Sequence, residues 1–102
     1  MSIKSFANQG TEDIFFGRNT AKARRQADKR AWNLAQPLLF LLHQATRMSD
    51  LGATPGLRLE PLKWSKPGYY SIRVTNQHRI VFVWKDGNAY DVSVEDPKHH
   101  QP

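Results

Sequence analysis

Four short runs in the C-terminal half constrain this chain most: Leu57 to Leu62, Tyr69 to Val74, His78 to Trp84 and Ala89 to Glu95, punctuated by turn signals at Pro67-Gly68, Asn76 and Asp86-Gly87. Runs of this length, rich in β-branched and aromatic residues, read as strands. Their connections are too short for the crossover that parallel strands need, so neighbours pair antiparallel. A sheet with one buried face specifies its own register, because a one-residue slip exchanges the two faces. With Thr75-Asn76-Gln77 as a three-residue loop, Ile72 lies opposite Ile80 and Tyr70 opposite Phe82; a two-residue loop sets Ile72 against Arg79. Only the first keeps one face apolar. By the same test Asp86-Gly87-Asn88 is a loop that pairs Trp84 with Tyr90, Phe82 with Val92 and Ile80 with Val94, and Leu59 pairs with Ile72 across Lys63 to Gly68.

The opposite face then carries Arg58, Arg73, Arg79 and Glu95 in one row across four strands, with Glu60, Ser71, Val81 and Ser93 beside it. Like charges directly opposite on a sheet cost roughly 0.2 to 1 kcal/mol. A phosphate backbone offsets that cost, since guanidinium groups bind phosphate oxygens bidentately. The plainer alternative is a solvated face that Glu60 and Glu95 already neutralise in part. Net charge points the same way as the row: 15 Lys and Arg against 9 Asp and Glu give +6, which attracts polyanions, nucleic acid first and an acidic protein second.

The N-terminal half reads differently. Ile3 to Phe6 alternates as a short strand. Thr11 is placed to cap a short helix that Gly17 closes, with Glu12 and Asp13 in its first turn. From about Thr20 to Ala45 apolar residues recur at Ala27, Ala31, Leu34, Leu38, Leu41 or Leu42, and Ala45, the spacing of one long helix. Pro37 inside it predicts a kink or a break. The stretch Arg18 to Arg30 holds six basic residues and one acid, including Arg24 and Arg25, a helix face suited to phosphate contacts or simply to water. Met48 to Gly56 reads as a linker. The expected architecture is α+β, with an N-terminal strand and helices packed on one face of a small antiparallel sheet. One domain spans 1–102, divided into 1–47, the sheet at 57–96 and a tail at 97–102.

The chain has no cysteine, which removes disulfides and thiolate metal sites. No apolar run approaches the ~20 residues of a membrane span, and the first residues lack a signal-peptide core. A cytoplasmic protein with no membrane partner, no metal and no cofactor is the expectation.

Three segments carry a resemblance: Arg58-Leu59-Glu60-Pro61-Leu62-Lys63, Gly68 through Val74, and Gln77-His78-Arg79-Ile80-Val81-Phe82-Val83-Trp84, followed by Tyr90 through Asp96. Together with Ile3 to Phe6 and Gly10 they resemble the HigB branch of the RelE/ParE toxin superfamily over nearly the whole chain. The resemblance implies a RelE-like fold, metal-independent cleavage of messenger RNA on the ribosome, and a cognate helix-turn-helix antitoxin. It also implies site residues. Glu60 falls where the family has His or Glu, Lys63 matches the basic residue of a Leu-Lys pair, Arg79 matches the arginine after an aromatic, and Asp96 matches the acid of a terminal Asp-Tyr-His signature. Pro97 and Lys98 stand where that signature has Tyr and His, and histidines follow at His99 and His100. Trp64 replaces a Gly, and His78 replaces a Trp.

Cleavage through the ribose 2'-hydroxyl needs a base, a proton donor to the leaving oxygen and cations on the phosphorane. The candidate catalytic set is therefore Glu60 as base or orienting group, Arg73, Arg79 and Lys63 as electrostatic partners, and Asp96 with His99 at the proton-donating end. Arg58, Lys66, Tyr69, Arg24 and Arg25 are the candidate RNA contacts, Tyr69 by stacking on a base. Two alternatives remain at this level: a relative that engages its antitoxin without cleaving RNA, and a ParE-like inhibitor of DNA gyrase.

Overall fold

The computed structural model describes residues 2–62 and 67–96. Among them, helices α1 (Gln9–Phe15), α2 (Ala21–Gln26), α3 (Lys29–Gln44) and α4 (Met48–Gly52) precede strands β1 (Glu60–Pro61), β2 (Tyr69–Arg73), β3 (Arg79–Lys85) and β4 (Asn88–Glu95). The strands form one antiparallel sheet in the order β1-β2-β3-β4. The α+β architecture is the one expected.

Register on the β2 side also agrees. Ile72 pairs with Ile80 and Tyr70 with Phe82, and the β1 pairing of Glu60 with Ser71 is the one that continues from Leu59 opposite Ile72. The β3–β4 hairpin differs. Asp86 and Gly87 both have positive φ, 52° and 78°, the geometry of a two-residue type I′ turn, for which Asp-Gly is a favoured pair. Trp84 therefore pairs with Ala89 and Val83 with Tyr90. Left uncorrected, that slip would turn Val92 and Val94 outward. A bulge on β4, where two residues lie between the partners of Val81 and Val83, absorbs it, and beyond the bulge Ile80 meets Val94 and Arg79 meets Glu95, as expected. Asp91 sits at the bulge with φ 54°, a left-handed conformation that Asp and Asn tolerate better than other non-glycine residues.

The N-terminal segment forms two isolated parallel bridges to β4, Ile3 with Ala89 and Phe6 with Val92, in place of a full strand. Backbone bonds from Lys4 to Ala89 and from Ala7 to Val92 keep this edge paired, which protects it from pairing with other chains.

The expected capping of α1 by Thr11 is wrong by one turn. Asn8 is the cap, its Oδ1 accepting from the Thr11 N–H at 2.8 Å. Thr11 is fully buried inside the helix and accepts from the Val94 N–H at 3.0 Å, tying α1 to β4. Gly17, with φ 74°, does end the helix. The single long helix expected from Thr20 is two. Thr20 caps α2, the chain turns extended at Ala27, and Asp28 caps α3 by accepting from the Ala31 N–H at 2.9 Å. The break thus falls at Asp28, and α3 runs on through Pro37. Pro37 and Asn33 both lie on the exposed side of α3, where water can take the Asn33 carbonyl that proline leaves without a donor. The expected linker contains α4, whose Leu51 is buried.

The core joins α3, through Ala31, Trp32, Ala35, Leu39 and Leu42, to Ile72, Ile80, Phe82, Val92 and Val94 of the sheet. Tyr70 and Trp84 pack against it from its margin, each ring against Phe82. Outward from the core the helices carry an aromatic group. Phe15 touches Phe6, Phe16 and Phe40, and Phe16, Leu34 and Phe40 stay 56%, 45% and 44% exposed.

Candidate nucleic-acid interface

With the helices over one face of the sheet, the other face displays three rows. Arg73 lies opposite Arg79, and Arg79 opposite Glu95. Next comes Glu60 opposite Ser71, Ser71 opposite Val81, and Val81 opposite Ser93. Tyr69 opposite Val83 and Val83 opposite Tyr90 form the third, and the Tyr69 hydroxyl bonds Asp91 at the bulge beside it. Both expected rows are present, with one correction. Arg58 is exposed and has φ 50°, so it departs from the strand before the paired residues of β1 and is not the fourth member of the arginine row.

The arginines are only partly compensated. Arg73 donates to Asn76 in the β2–β3 loop. Arg79 Nη1 lies 4.0 Å from Glu60 Oε2, an ion pair without a hydrogen bond. That same Nη1 is shielded from solvent and has no hydrogen-bond partner among the described residues. A shielded guanidinium nitrogen with no acceptor carries a desolvation cost that an arriving anion would remove. Ser71, fully buried in the adjacent row, likewise has an Oγ without a partner. Ser93 is buried beside them and accepts from Asn8 Nδ2 at 3.0 Å.

The loop that ends β2 is itself held by a histidine. His78, buried, places Nδ1 3.1 Å from Thr75 Oγ1, and Thr75 Oγ1 accepts from the His78 N–H at 2.8 Å. At the other end of the face Tyr69 donates to Asp91 Oδ2 at 2.8 Å. That bond, with burial and the charge of Asp91, raises the Tyr69 phenol above its ordinary value of 10.0.

The structure thus gathers Glu60, Arg73, Arg79 and Tyr69 on one face and leaves Arg24 and Arg25 apart from it. Those two are exposed on α2, a helix anchored to the edge of β4 by Gln26, which donates to the Val94 carbonyl. Arg24 is engaged with Asn19 Oδ1 at 2.7 Å. Asp96 follows β4 directly. Lys63, Lys66 and His99, together with Trp64, Pro97, Lys98 and His100, lie outside the described residues. Sequence reasoning placed Ser71 on this face without giving it a role, and it did not place Asp91 there, although the Asp86-Gly87 pair carried the signal: a two-residue turn there demands a compensating bulge. Among the described residues no group of His, Asp and Glu is arranged to hold a metal ion, and no helix is long and apolar enough to cross a membrane.

The fold is shared with solved structures. It is similar to the YoeB–YefM complex from Staphylococcus aureus, with a TM-score of 0.59 and 25% identity over 93% of this chain and 94% of that one. The YoeB dimer from the same organism matches at a TM-score of 0.52 and 25% identity, with the same coverage. Helices on one side of a four-stranded antiparallel sheet are thus the frame of a RelE-like toxin. Within that class, the chain belongs to the HigB-like toxin family: the family of the RelE-like toxin of type II toxin-antitoxin system HigB matches residues 4–98. Endoribonuclease HigB of Proteus vulgaris is 32% identical over 92% of this chain and 97% of its own length. Toxin HigB-1 of Vibrio cholerae serotype O1 is 39% identical over 61 residues, 60% of this chain and 64% of that protein. The family is thus the toxin member of a pair that also contains an antitoxin.

Proposed function

We propose that this chain is an endoribonuclease toxin that cleaves messenger RNA at the ribosome and is held inactive by a helix-turn-helix antitoxin. The observation that carries the reading is the pair of arginines facing each other on β2 and β3, with the shielded Arg79 Nη1 lacking a hydrogen-bond partner among the described residues and Glu60 4.0 Å away. The Proteus vulgaris relative, an endoribonuclease by name, supports it over almost the whole chain.

In this mechanism the ribose 2'-oxygen attacks the adjacent phosphorus while Glu60 takes its proton. Arg73 and Arg79 stabilise the negative charge that develops on the phosphorane, with Lys63 as a further cation. The 5'-oxygen leaves with a proton from the terminal segment, where Asp96 and His99 are the candidates, and the products are a 2',3'-cyclic phosphate and a free 5'-hydroxyl. Fixed donors aimed at developing charge contribute the most when water is kept away, and a shielded guanidinium nitrogen meets that condition. Arg58, Lys66, Arg24 and Arg25 would contact the RNA backbone outside the reacting centre. Such contacts weaken as salt rises.

Replacing Arg79 with Ala should lower mRNA cleavage in a translating extract by roughly 100- to 1000-fold, the loss typical of one transition-state donor, with an unchanged circular dichroism spectrum. Full cleavage by a folded R79A variant would remove the assignment. Following DNA supercoiling after induction in the same cells separates the gyrase reading, which requires altered supercoiling with intact mRNA. A relative that only binds antitoxin leaves growth, mRNA and supercoiling unchanged.

A further inference from the structure

We infer that the Tyr69 end of the sheet face is a nucleobase subsite in which Asp91 fixes the tyrosine ring and selects, as a hydrogen-bond acceptor, bases that present an amino group. The inference rests on the reading above, that the arginine end of this face binds the scissile phosphate.

Three observations lead to it. First, the two ends of the face differ in the chemistry they offer. Residues two apart on a strand are about 6.7 Å apart, so Tyr69 and Arg73, on one strand and one face, are separated by about 13 Å. Between them lie Ser71, Val81 and Ser93, all small and buried, with Glu60 at the β1 edge of that row, so on β2, β3 and β4 no large side chain divides the two ends. The Arg73 and Arg79 end attracts phosphate. The other end carries the exposed carboxylate of Asp91, which repels it. A strand of RNA anchored by a phosphate at the first end therefore presents a base, and not another phosphate, to the second.

Second, the tyrosine is held. Its hydroxyl donates to Asp91 Oδ2 at 2.8 Å, a bond that reaches past β3, since Tyr69 on β2 pairs with Val83. A ring held at its hydroxyl loses less freedom when a base stacks on it. A phenol is protonated at neutral pH even at its ordinary value of 10.0, and the shift here is upward, so the hydroxyl is the donor in this pair. One oxygen of an exposed carboxylate is then used, and the other is an acceptor. Acidic side chains accept from the exocyclic amine of cytosine, and adenine and guanine carry amines of the same kind. Uracil carries none.

Third, the backbone of Asp91 is fixed. Asp91 occupies the left-handed bulge position, φ 54°. Its backbone N–H donates to Ser5 Oγ at 2.9 Å, and the following Val92 N–H donates to the Ser5 carbonyl. The N-terminal segment therefore braces the bulge from outside the sheet.

The left-handed backbone also makes the test clean, because Asn tolerates it as well as Asp does. In Asp91→Asn the amide oxygen still accepts from Tyr69, and the outward position changes from acceptor to donor. The experiment maps the bases next to every cut site by sequencing the 5' ends released in a translating extract, for the wild-type protein and the D91N, Y69F and Y69A variants. Wild-type cuts should be enriched for adenine, cytosine or guanine over uracil at one fixed position beside the cut. D91N should shift that position toward uracil, by about three- to tenfold, the scale of one typical hydrogen bond. Y69A should raise the RNA concentration for half-maximal cleavage about tenfold, as loss of one stacking partner does, and Y69F should fall between it and wild type. Cleavage by D91N with the wild-type base distribution would overturn the inference while leaving the nuclease intact. Absence of cleavage by the wild-type protein would instead overturn the nuclease reading on which it stands.

Discussion

Gly10 sits where α1 crosses α2, and replacing it with Ala sets two opposite effects against each other. In an ordinary helix interior Gly to Ala stabilises by about 1 kcal/mol. Here a Cβ on residue 10 would lie 2.6 Å from the Lys22 carbonyl oxygen and 2.8 Å from the Gln26 Cβ. Carbon atoms pack best at about 3.5 to 4.0 Å, so α2 would have to move away by roughly 0.7 Å. The Lys22 carbonyl is backbone and cannot rotate aside. Nor is α2 free to slide, because Gln26 is bonded to the Val94 carbonyl and Thr20 donates to Asp13 Oδ2 at 2.7 Å. Overpacking of this kind costs about 1 to 3 kcal/mol, and loss of the Gln26 bond would add about 0.5 to 1.5 kcal/mol. The clash wins over the propensity gain, and the net destabilisation is about 0.5 to 3.5 kcal/mol, centred on ~2 kcal/mol. For a domain of this size the central value lowers the melting temperature by roughly 8 to 16 °C. Thermal unfolding followed by circular dichroism reads it directly. Gly52 in α4 is the control, since a Cβ there meets nothing within 4 Å, and Gly52→Ala should be neutral or slightly stabilising. A Gly10→Ala protein that melts at or above the wild-type temperature would refute the reasoning.

Two further predictions concern the same layer. Thr11→Val keeps the shape of a fully buried side chain but leaves the Val94 N–H without its acceptor, which should cost about 1 to 3 kcal/mol in a denaturant titration; an unchanged midpoint would show that another group accepts the bond. Asp13 is buried and accepts from Thr20, from Gln9 and from Arg18, and these bonds, Thr20 foremost, hold its carboxyl below the ordinary 3.8. A depressed folded-state pKa contributes stability that is present above the unfolded value and is lost as pH falls below it through the folded value. Asp13→Asn should therefore melt lower than wild type at pH 7, and the difference should narrow below pH 3.8. A gap that stays constant down to pH 2 would show that the carboxylate's charge is not what matters.

The sheet was legible where a buried face left one register open. Ile72 opposite Ile80 and Arg73 opposite Arg79 follow from hydrophobic alternation alone, and the candidate phosphate site follows from them. Alternation failed at Asp86-Gly87 because it treats a strand as unbroken. The turn chemistry asked for two residues and the core asked for the longer register, and a bulge satisfied both. The helical half was read less well for a related reason. Apolar periodicity continues through Ala27 into Ala31, so it conceals the break, whereas the capping carboxylate of Asp28 fixes it. Pro37 misled in the opposite direction, since an exposed carbonyl can turn to water and the helix need not end. Asp91 was out of reach of face-counting altogether, because a bulge residue belongs to neither alternating set.

Beyond Arg30 the outer surface of α3 is uncharged, which has a consequence for how the protein behaves in solution. From Ala31 to Thr46 the sequence contains no Asp, Glu, Lys or Arg, and Phe40 and Leu34 stand out from that stretch beside Phe16. What keeps copies of the molecule apart is their shared charge of +6, a long-range repulsion that reaches about 10 Å at 0.1 M salt and about 3 Å at 1 M. Ionic strength therefore acts on the two sides of the molecule in opposite senses. It loosens the arginine face from a polyanion, and it lets the aromatic faces of separate copies meet. Purification in high salt to strip bound nucleic acid would thus favour self-association, and a soluble additive that covers Phe16 and Phe40 would be the remedy.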